Sequence, residues 1–167
     1  MLVEIKELRK TFDNGTKALQ GVNLSVNEGE FVVILGASGS GKTTLLRSIN
    51  GLVDCEQGEI KFCDNVISPS TLPKLRKKTG MVFQDFNLVN NLSSLNNVLT
   101  GLLDSSNTLM SVLYLFTKEQ KKQALSCLEM VGLLDKAYSR VDKLSGGQQQ
   151  RVGIARAIIK NPTLLLA

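Results

Sequence analysis

FVVILGASGSGKTT, residues 31–44, is the stretch on which the reading of this chain turns. The continuous apolar run Phe31 to Leu35 suits a strand covered on both faces, as in a parallel sheet. A Gly/Ser-rich loop follows, and Lys42 to Asn50 then has helical character. Gly36-Ala37-Ser38-Gly39-Ser40-Gly41-Lys42-Thr43 is a full match to G-x-x-x-x-G-K-[ST]. Each residue type has a task. The glycines let the backbone curl until consecutive N–H groups point inward. Those donors, with a helix N-terminus behind them, hold a chain of phosphate oxygens. Lys42 neutralises β- and γ-phosphates, Thr43 offers a hydroxyl to Mg²⁺, and Thr44 extends the polar shell. A chance match in a chain of this length has a probability on the order of 1% or less. The stretch therefore predicts a nucleotide-phosphate site. By itself it does not separate kinases, GTPases, helicases and transport ATPases.

Bulk properties narrow the field. The 167 residues are 43% hydrophobic and 21% charged, ordinary for a globular domain with a real core. No apolar stretch approaches the ~20 residues of a membrane span. The start, MLVEIKELRKTF, carries acids and has no signal-peptide pattern, so a cytoplasmic location is expected. The net charge is +5, with much of it in LPKLRKKTG, residues 72–80. That run reads as a solvated basic face, or else as a patch for an anionic partner. No aromatic interleaves with Lys74, Arg76, Lys77 and Lys78, which weakens a single-strand-binding reading. Cys55, Cys63 and Cys127 form no C-x-x-C pair, and histidine is absent. A zinc site is not expected, and reduced thiols are.

Outward from the loop, the pattern is mixed α/β. Leu2, Val3, Ile5 and Leu8 predict a first strand, DNGT (13–16) a hairpin turn, and Val22 to Val26 a second strand. GEIKF (58–62) and GMVF (80–83) are further strand candidates. From Asn87 to Lys143 the chain is Leu-rich and helical, so a helical insertion interrupts a sheet-based domain. Thr117-Lys-Glu-Gln120 fits a capping box, Ala124, Leu125, Leu128 and Val131 follow at helical spacing, and Gly132 marks the stop. LMSVLYLF (109–116) reads as core packing or as a contact with a partner. Asn161-Pro162 ends a helix, and Thr163 to Ala167 reads as a short apolar strand.

A second motif chooses the class. Leu144-Ser145-Gly146-Gly147-Gln148-Gln-Gln-Arg151 opens a helix that continues to Lys160. Ser145 and Gln148 fit a capping box. The same geometry is also an anion site, because free N–H groups and the helix dipole point outward together. The residues alone leave both readings open. With the phosphate loop, LSGGQ and their separation, the whole chain resembles the ATP-binding subunits of ABC transporters, a P-loop NTPase fold with N-terminal antiparallel strands and a helical insertion. The resemblance implies ATP and Mg²⁺ as cofactors. It puts Phe12 where the family has an aromatic, usually Tyr, that stacks on adenine. Gln84, after GMVF, matches the Q-loop glutamine that reaches Mg²⁺ and the attacking water. Ser145, Gly146, Gly147 and Gln148 would contact the γ-phosphate of ATP held by a second subunit, head to tail. Lys42 and Gln84 are thus the candidate catalytic residues, and Thr43 and Gln84 the candidate metal ligands.

VFQDFNLVNNLSSLNNVLTGLL and LFTKEQKKQALSCLEMVGLLDKAYSRVDKLSGGQQQRV look like the importer group for phosphonate and related anions, as does the insertion at 104–116. Amino-acid importers share the FQ-x-FNL pattern. The ATPase of another importer, such as an amino-acid importer, an exporting or lipoprotein-releasing ABC subunit, and a nucleic-acid-associated soluble ABC ATPase are the alternatives, and no nucleic acid is expected. The implied partners are membrane permease subunits, a second ATPase subunit and a periplasmic or surface binding protein, at the cytoplasmic face of the membrane. The expected organisation is a nucleotide-binding core at 1–86, a helical subdomain at 87–143, and the signature helix with the start of another strand at 144–167. In the family such a strand leads into Asp-Glu, which binds Mg²⁺ and polarises water. Leu164-Leu-Leu-Ala167 matches only the apolar half. The expectation is a domain incomplete at its C-terminus, poorly soluble and nearly inactive in hydrolysis.

Overall fold

The alternating apolar residues at the N-terminus form strand β1 (Val3–Thr11), which pairs antiparallel with β2 (Lys17–Val26) through the turn at 13–16. The computed structural model describes residues 1–105 and 116–167. They fall into two compact units, Met1–Arg76 and Lys77–Ala167.

In the first unit β3 (Gln57–Phe62) pairs with the other edge of β1, and the short β4 (Asn65–Val66) pairs with β3. The order is β2-β1-β3-β4 in a four-stranded sheet. Strict alternation from Val3 and Ile5 would bury residue 7, yet Leu8 is the buried one. A register shift lies between Ile5 and Leu8, and Glu7 has φ 46°. This bulge returns Leu8 to the face of Val3 and Ile5. Asn23 patches the interrupted ladder, accepting from the Glu7 amide at 3.0 Å and donating to its carboxylate at 2.6 Å. Helix α1 (Lys42–Ile49) lies against β2, with Leu45 and Ile49 buried.

One expected strand does not form. No strand among the described residues pairs with 31–35, and Phe31 and Leu35 are 93% and 87% exposed. Apolar composition suits a central strand, but a strand is made by its ladder, and among the described residues 31–35 has none.

The second unit contains the end of α2 (Leu72–Lys78), a short helix formed by the basic run. Strands β5 (Thr79–Met81) and β6 (Leu164–Leu166) are parallel, with Thr79 opposite Leu164 and Met81 opposite Leu166. Helices α3 (Ser94–Leu99), α4 (Lys118–Met130) and α5 (Gly146–Ile158) surround a core of Leu95, Val98, Leu99, Leu128, Val141, Val152 and Ile159. Thr117 and Gln120 form the predicted reciprocal cap of α4, and Gly132, φ 68°, follows its end. Asn161 is left-handed, φ 48°, just before Pro162, so α5 stops where the sequence indicated. Residues 106–115, including most of LMSVLYLF and of the 104–116 insertion, lie outside the described residues.

Candidate functional site

The phosphate loop of the first unit is built by close packing at one end of the β-hairpin. Gly41 caps α1 in a left-handed conformation, φ 89°. A Cβ on Gly41 would stand 2.2 Å from the backbone oxygen of Ala18 in β2. No side chain fits there, and this contact fixes the start of α1 against the sheet. Gly39 is also left-handed, φ 79°, and the Ser40 amide donates to the Ala37 carbonyl at 3.2 Å. The chain thus curls through 36–41 as the motif requires.

The Lys42 ammonium is turned into this curl. It donates to the carbonyls of Gly36 and Ala37, both at 2.7 Å, and to Ser40 Oγ at 3.4 Å. A cation held by neutral carbonyls at an exposed loop gains further from an anionic partner, because the opposite charge adds Coulomb attraction to the hydrogen bond. Ser38 and Thr43 are exposed and Thr44 is half-buried. The first turn of α1 contains no acid, so nothing there opposes a phosphate.

Phe12 lies in the hairpin turn. Its amide donates to the Thr16 carbonyl at 2.9 Å, and its carbonyl accepts from Gly15 at 2.8 Å. The ring is 39% exposed, with Lys10 Nζ 5.6 Å from its centroid. The turn leads directly into β2, whose second residue, Ala18, supports Gly41. Aromatic face and phosphate loop therefore share one end of the hairpin.

The other two candidate elements belong to the second unit. Gln84 is exposed and lies three residues past the end of β5. The Val82 amide donates to the Leu166 carbonyl at 2.8 Å, which carries the pairing to the last residues before it. Gln84 thus sits beyond the C-terminal ends of two parallel strands, the usual ligand side of an open α/β sheet. After it the chain takes an unusual path, with Phe86 and Asn87 left-handed at φ 57° and 45°.

Ser145 caps α5 in full capping-box geometry. Its amide donates to Gln148 Oε1 at 2.9 Å, and its Oγ accepts from the Gln148 amide at 3.4 Å. Of the two readings the sequence left open, the cap is present. It does not account for the glycines. A Cβ on Gly146 or Gly147 would meet nothing within 4 Å, and neither has a positive φ. Packing and backbone would accept alanine, which favours helix by about 0.8–1.0 kcal/mol per residue. Bare backbone at an exposed helix start is suited to close approach by something outside the unit.

Three residues of the site's frame were not singled out from sequence. Gln149 Nε2 donates to the carbonyls of Val141 and Leu144 and fixes the segment before Ser145. Asn97 is fully buried; its Oδ1 accepts from the Val89 amide at 2.8 Å, and its Nδ2 donates to the Val89 and Ser93 carbonyls, both at 3.1 Å. Arg156 binds the turn after Gln84, and burial lowers its pKa from the ordinary arginine value. No local pattern marks these residues, because each works through tertiary contacts.

Among the described residues no group of three or more His, Cys, Asp or Glu could hold a metal. The chemistry on offer suits Mg²⁺ differently. That ion keeps several waters and is held by substrate phosphates and a few oxygen ligands rather than by an all-protein cage. The first unit exposes the Thr43 hydroxyl and the second exposes Gln84, each with a side-chain oxygen.

The ABC transporter family model matches residues 19–167. The phosphonates import ATP-binding protein PhnC of Lactobacillus acidophilus is 48% identical over 169 residues, covering 99% of this chain and 66% of that protein. The PhnC protein of Thiobacillus denitrificans is 48% identical over 165 residues, covering 99% of this chain and 64% of that protein. The chain thus spans just under two thirds of the length of these curated relatives. Among solved structures, a dimeric post-hydrolysis state of the ATP-binding cassette MJ0796 bound to ADP and Pi superposes with TM-score 0.86 at 39% identity. The match covers 98% of this chain and 72% of that one. A nucleotide-free ABC transporter cassette superposes with TM-score 0.83 at 29% identity, covering 98% and 67%.

Proposed function

The chain belongs to the ABC transporter family, and on that premise we propose that it is the ATP-binding part of an importer for phosphonate or a related anion. The observation that carries the nucleotide reading is the phosphate loop itself: a curl closed on Lys42 and seated on the Ala18 carbonyl through Gly41. The phosphonate reading is supported by relatives at 48% identity that bear that name.

In the proposed working cycle the Lys42 ammonium leaves the Gly36 and Ala37 carbonyls for the β- and γ-phosphates of ATP. The amides of 39–44 turn onto the same oxygens, and Phe12 offers its exposed face to the base. Thr43 and Gln84 are the residues that would hold Mg²⁺, which spreads the charge of the phosphate chain. Ser145, Gly146, Gly147 and Gln148 approach the γ-phosphate of ATP on a second subunit, so two subunits close head to tail around two nucleotides. Closure of this kind converts differential binding into domain movement. The Gln84 loop and the helical segment at 87–143 pass the movement to permease subunits at the cytoplasmic face of the membrane. A binding protein outside delivers the anion. Among the described residues no helix is long and apolar enough to cross a membrane. By resemblance, the carboxylates that position water follow the apolar strand at 164–167.

The test is genetic. Cells lacking the gene and given an alkylphosphonate as sole phosphorus source are expected not to grow. The intact gene restores growth and the Lys42→Ala gene does not. Normal growth of the deletion strain on phosphonate, in the absence of a second phosphonate system, overturns the substrate assignment.

A further inference from the structure

Arg156 lies in the last turn of α5, the helix that begins at the Ser145 cap. Its Nη1 donates to the Asn87 carbonyl and its Nη2 to the Phe86 carbonyl, both at 2.6 Å. Its guanidinium carbon lies 6.0 Å from the centroid of the Phe83 ring. One side chain thus holds the residue before Gln84 and the second and third residues after it. The two carbonyls belong to the left-handed pair, φ 57° and 45°. Asparagine enters that region readily, but a bulky residue such as Phe86 persists there only when its surroundings over-determine it. A rigid planar fork that takes both carbonyls at once supplies that constraint; lysine carries its ammonium as a point charge on a flexible stem and does not impose the fork's geometry.

The anchor itself is rigid. A Cβ on Gly101, in the 3-10 turn after α3, would stand 2.4 Å from the Arg156 carbonyl oxygen. A Cβ on Gly80, in β5, would stand 2.4 Å from the Ala157 carbonyl oxygen. The backbone bearing Arg156 is therefore pressed against two bare backbone positions. Asn97 fixes the far end of the same loop at Val89 and Ser93.

We propose that Arg156 is the positioning residue for Gln84: it locks the Gln84 loop to the helix that starts with Ser145–Gln148, so that both elements move as one body. Gln84 then reaches a nucleotide-bound Mg²⁺ only when that helix is in place. This rests on the reading of Gln84 given above, and the experiment separates the two.

The proteins compared are the full chain and its Arg156→Lys, Arg156→Gln, Gln84→Ala and Arg156→Lys/Gln84→Ala variants. Arg151→Lys serves as a control on the same helix, since Arg151 Nη1 donates to the Val131 carbonyl at 3.1 Å, away from the loop. Hydrogen exchange is read at the Phe86 and Asn87 amides. ATP affinity is read with Mg²⁺ and with EDTA. The expected result for Arg156→Lys is exchange at least roughly tenfold faster at these amides, because hydrogen bonds from a charged group are lost. Its gain in ATP affinity on adding Mg²⁺ falls to that of Gln84→Ala, and the double variant falls no further. Arg151→Lys retains the full Mg²⁺ gain. Unchanged exchange in both Arg156 variants overturns the proposal. So does a full Mg²⁺ gain in Arg156→Lys, or losses that add independently. If Gln84→Ala itself keeps the full gain, the reading of Gln84 fails and the positioning role falls with it, while the exchange data still report whether the anchor exists.

Discussion

Replacing Gly41 by alanine should damage both the fold of the first unit and its nucleotide site. Two costs combine. At φ 89° an L-residue is strained by roughly 1–2 kcal/mol. The new Cβ would also stand 2.2 Å from the Ala18 oxygen, where real contacts essentially never fall below 3.0 Å. Because the obstacle is backbone in a paired strand, no side-chain rotation relieves it. Either α1 retreats or β2 bends, by about 1 Å, and close contacts along the interface with Leu19 and Leu45 are weakened. The expected total is about 2–4 kcal/mol, a fall in Tm of roughly 5–15 °C. Loop amides displaced by about 1 Å lose hydrogen bonding to a charged group worth about 1.5–3 kcal/mol and should weaken ATP binding by roughly 10–100-fold. Gly39→Ala is the internal comparison: its φ is 79°, but a Cβ there meets nothing within 4 Å. It should show only the conformational cost, about half the loss. The assay is thermal unfolding by circular dichroism with ATP titration on the same samples. If Gly41→Ala melts and binds like the wild type, or if Gly39→Ala is the more damaging, the packing argument is wrong.

Gly147→Ala should behave in the opposite sense, raising stability by up to about 1 kcal/mol while weakening ATP-dependent association of two subunits, measured by light scattering. A lowered Tm would reveal packing that the open surroundings of Gly147 do not contain. Asn97→Leu removes a buried side chain that accepts from the Val89 amide and donates to the Val89 and Ser93 carbonyls and should cost about 2–3 kcal/mol in a denaturant titration; an unchanged midpoint would contradict the loop-pinning role. Glu7, whose carboxylate accepts from Asn23 and Arg9, has its pKa held below the ordinary value, first by the Asn23 hydrogen bond. Its contribution is complete above the ordinary carboxylate range and is lost as pH falls through the lowered folded value. Glu7→Gln should therefore flatten the acid limb of the stability curve followed by circular dichroism, and an identical acid limb would count against it.

Much of this was legible in sequence because it is local. The curl at 36–41, the cap of α4 by Thr117 and Gln120, and the cap of α5 by Ser145 and Gln148 are set by residues within a few positions of one another. The hairpin and β3 follow from alternation and the turn at 13–16. What escaped depends on distant partners. Phe31–Leu35 has the composition of a buried strand, but composition does not supply a neighbour, and no ladder forms there among the described residues. The basic run at 72–78 becomes a short helix around buried Leu75, with too few apolar positions to show a period. The bulge that lets Leu8 rejoin Ile5 relies on Asn23 across the sheet. Arg156 lies 70 residues from Phe86 in the chain, and nothing near it in sequence distinguishes it from any other cation on a helix.

The measurement closest to the central claim is ATP binding by the purified chain and by Lys42→Ala, in the same titration calorimeter and with Mg²⁺ present. Lys42 turns into the curl at 36–41, and removing a charged partner of phosphate should weaken binding by roughly 10–100-fold. Saturable ATP binding that Lys42→Ala abolishes or weakens to that degree, with an unchanged melting curve in the absence of nucleotide, is the predicted result. Equal affinities in the two proteins, or no ATP binding by the folded wild-type chain, would contradict the assignment of residues 36–44 as a nucleotide site.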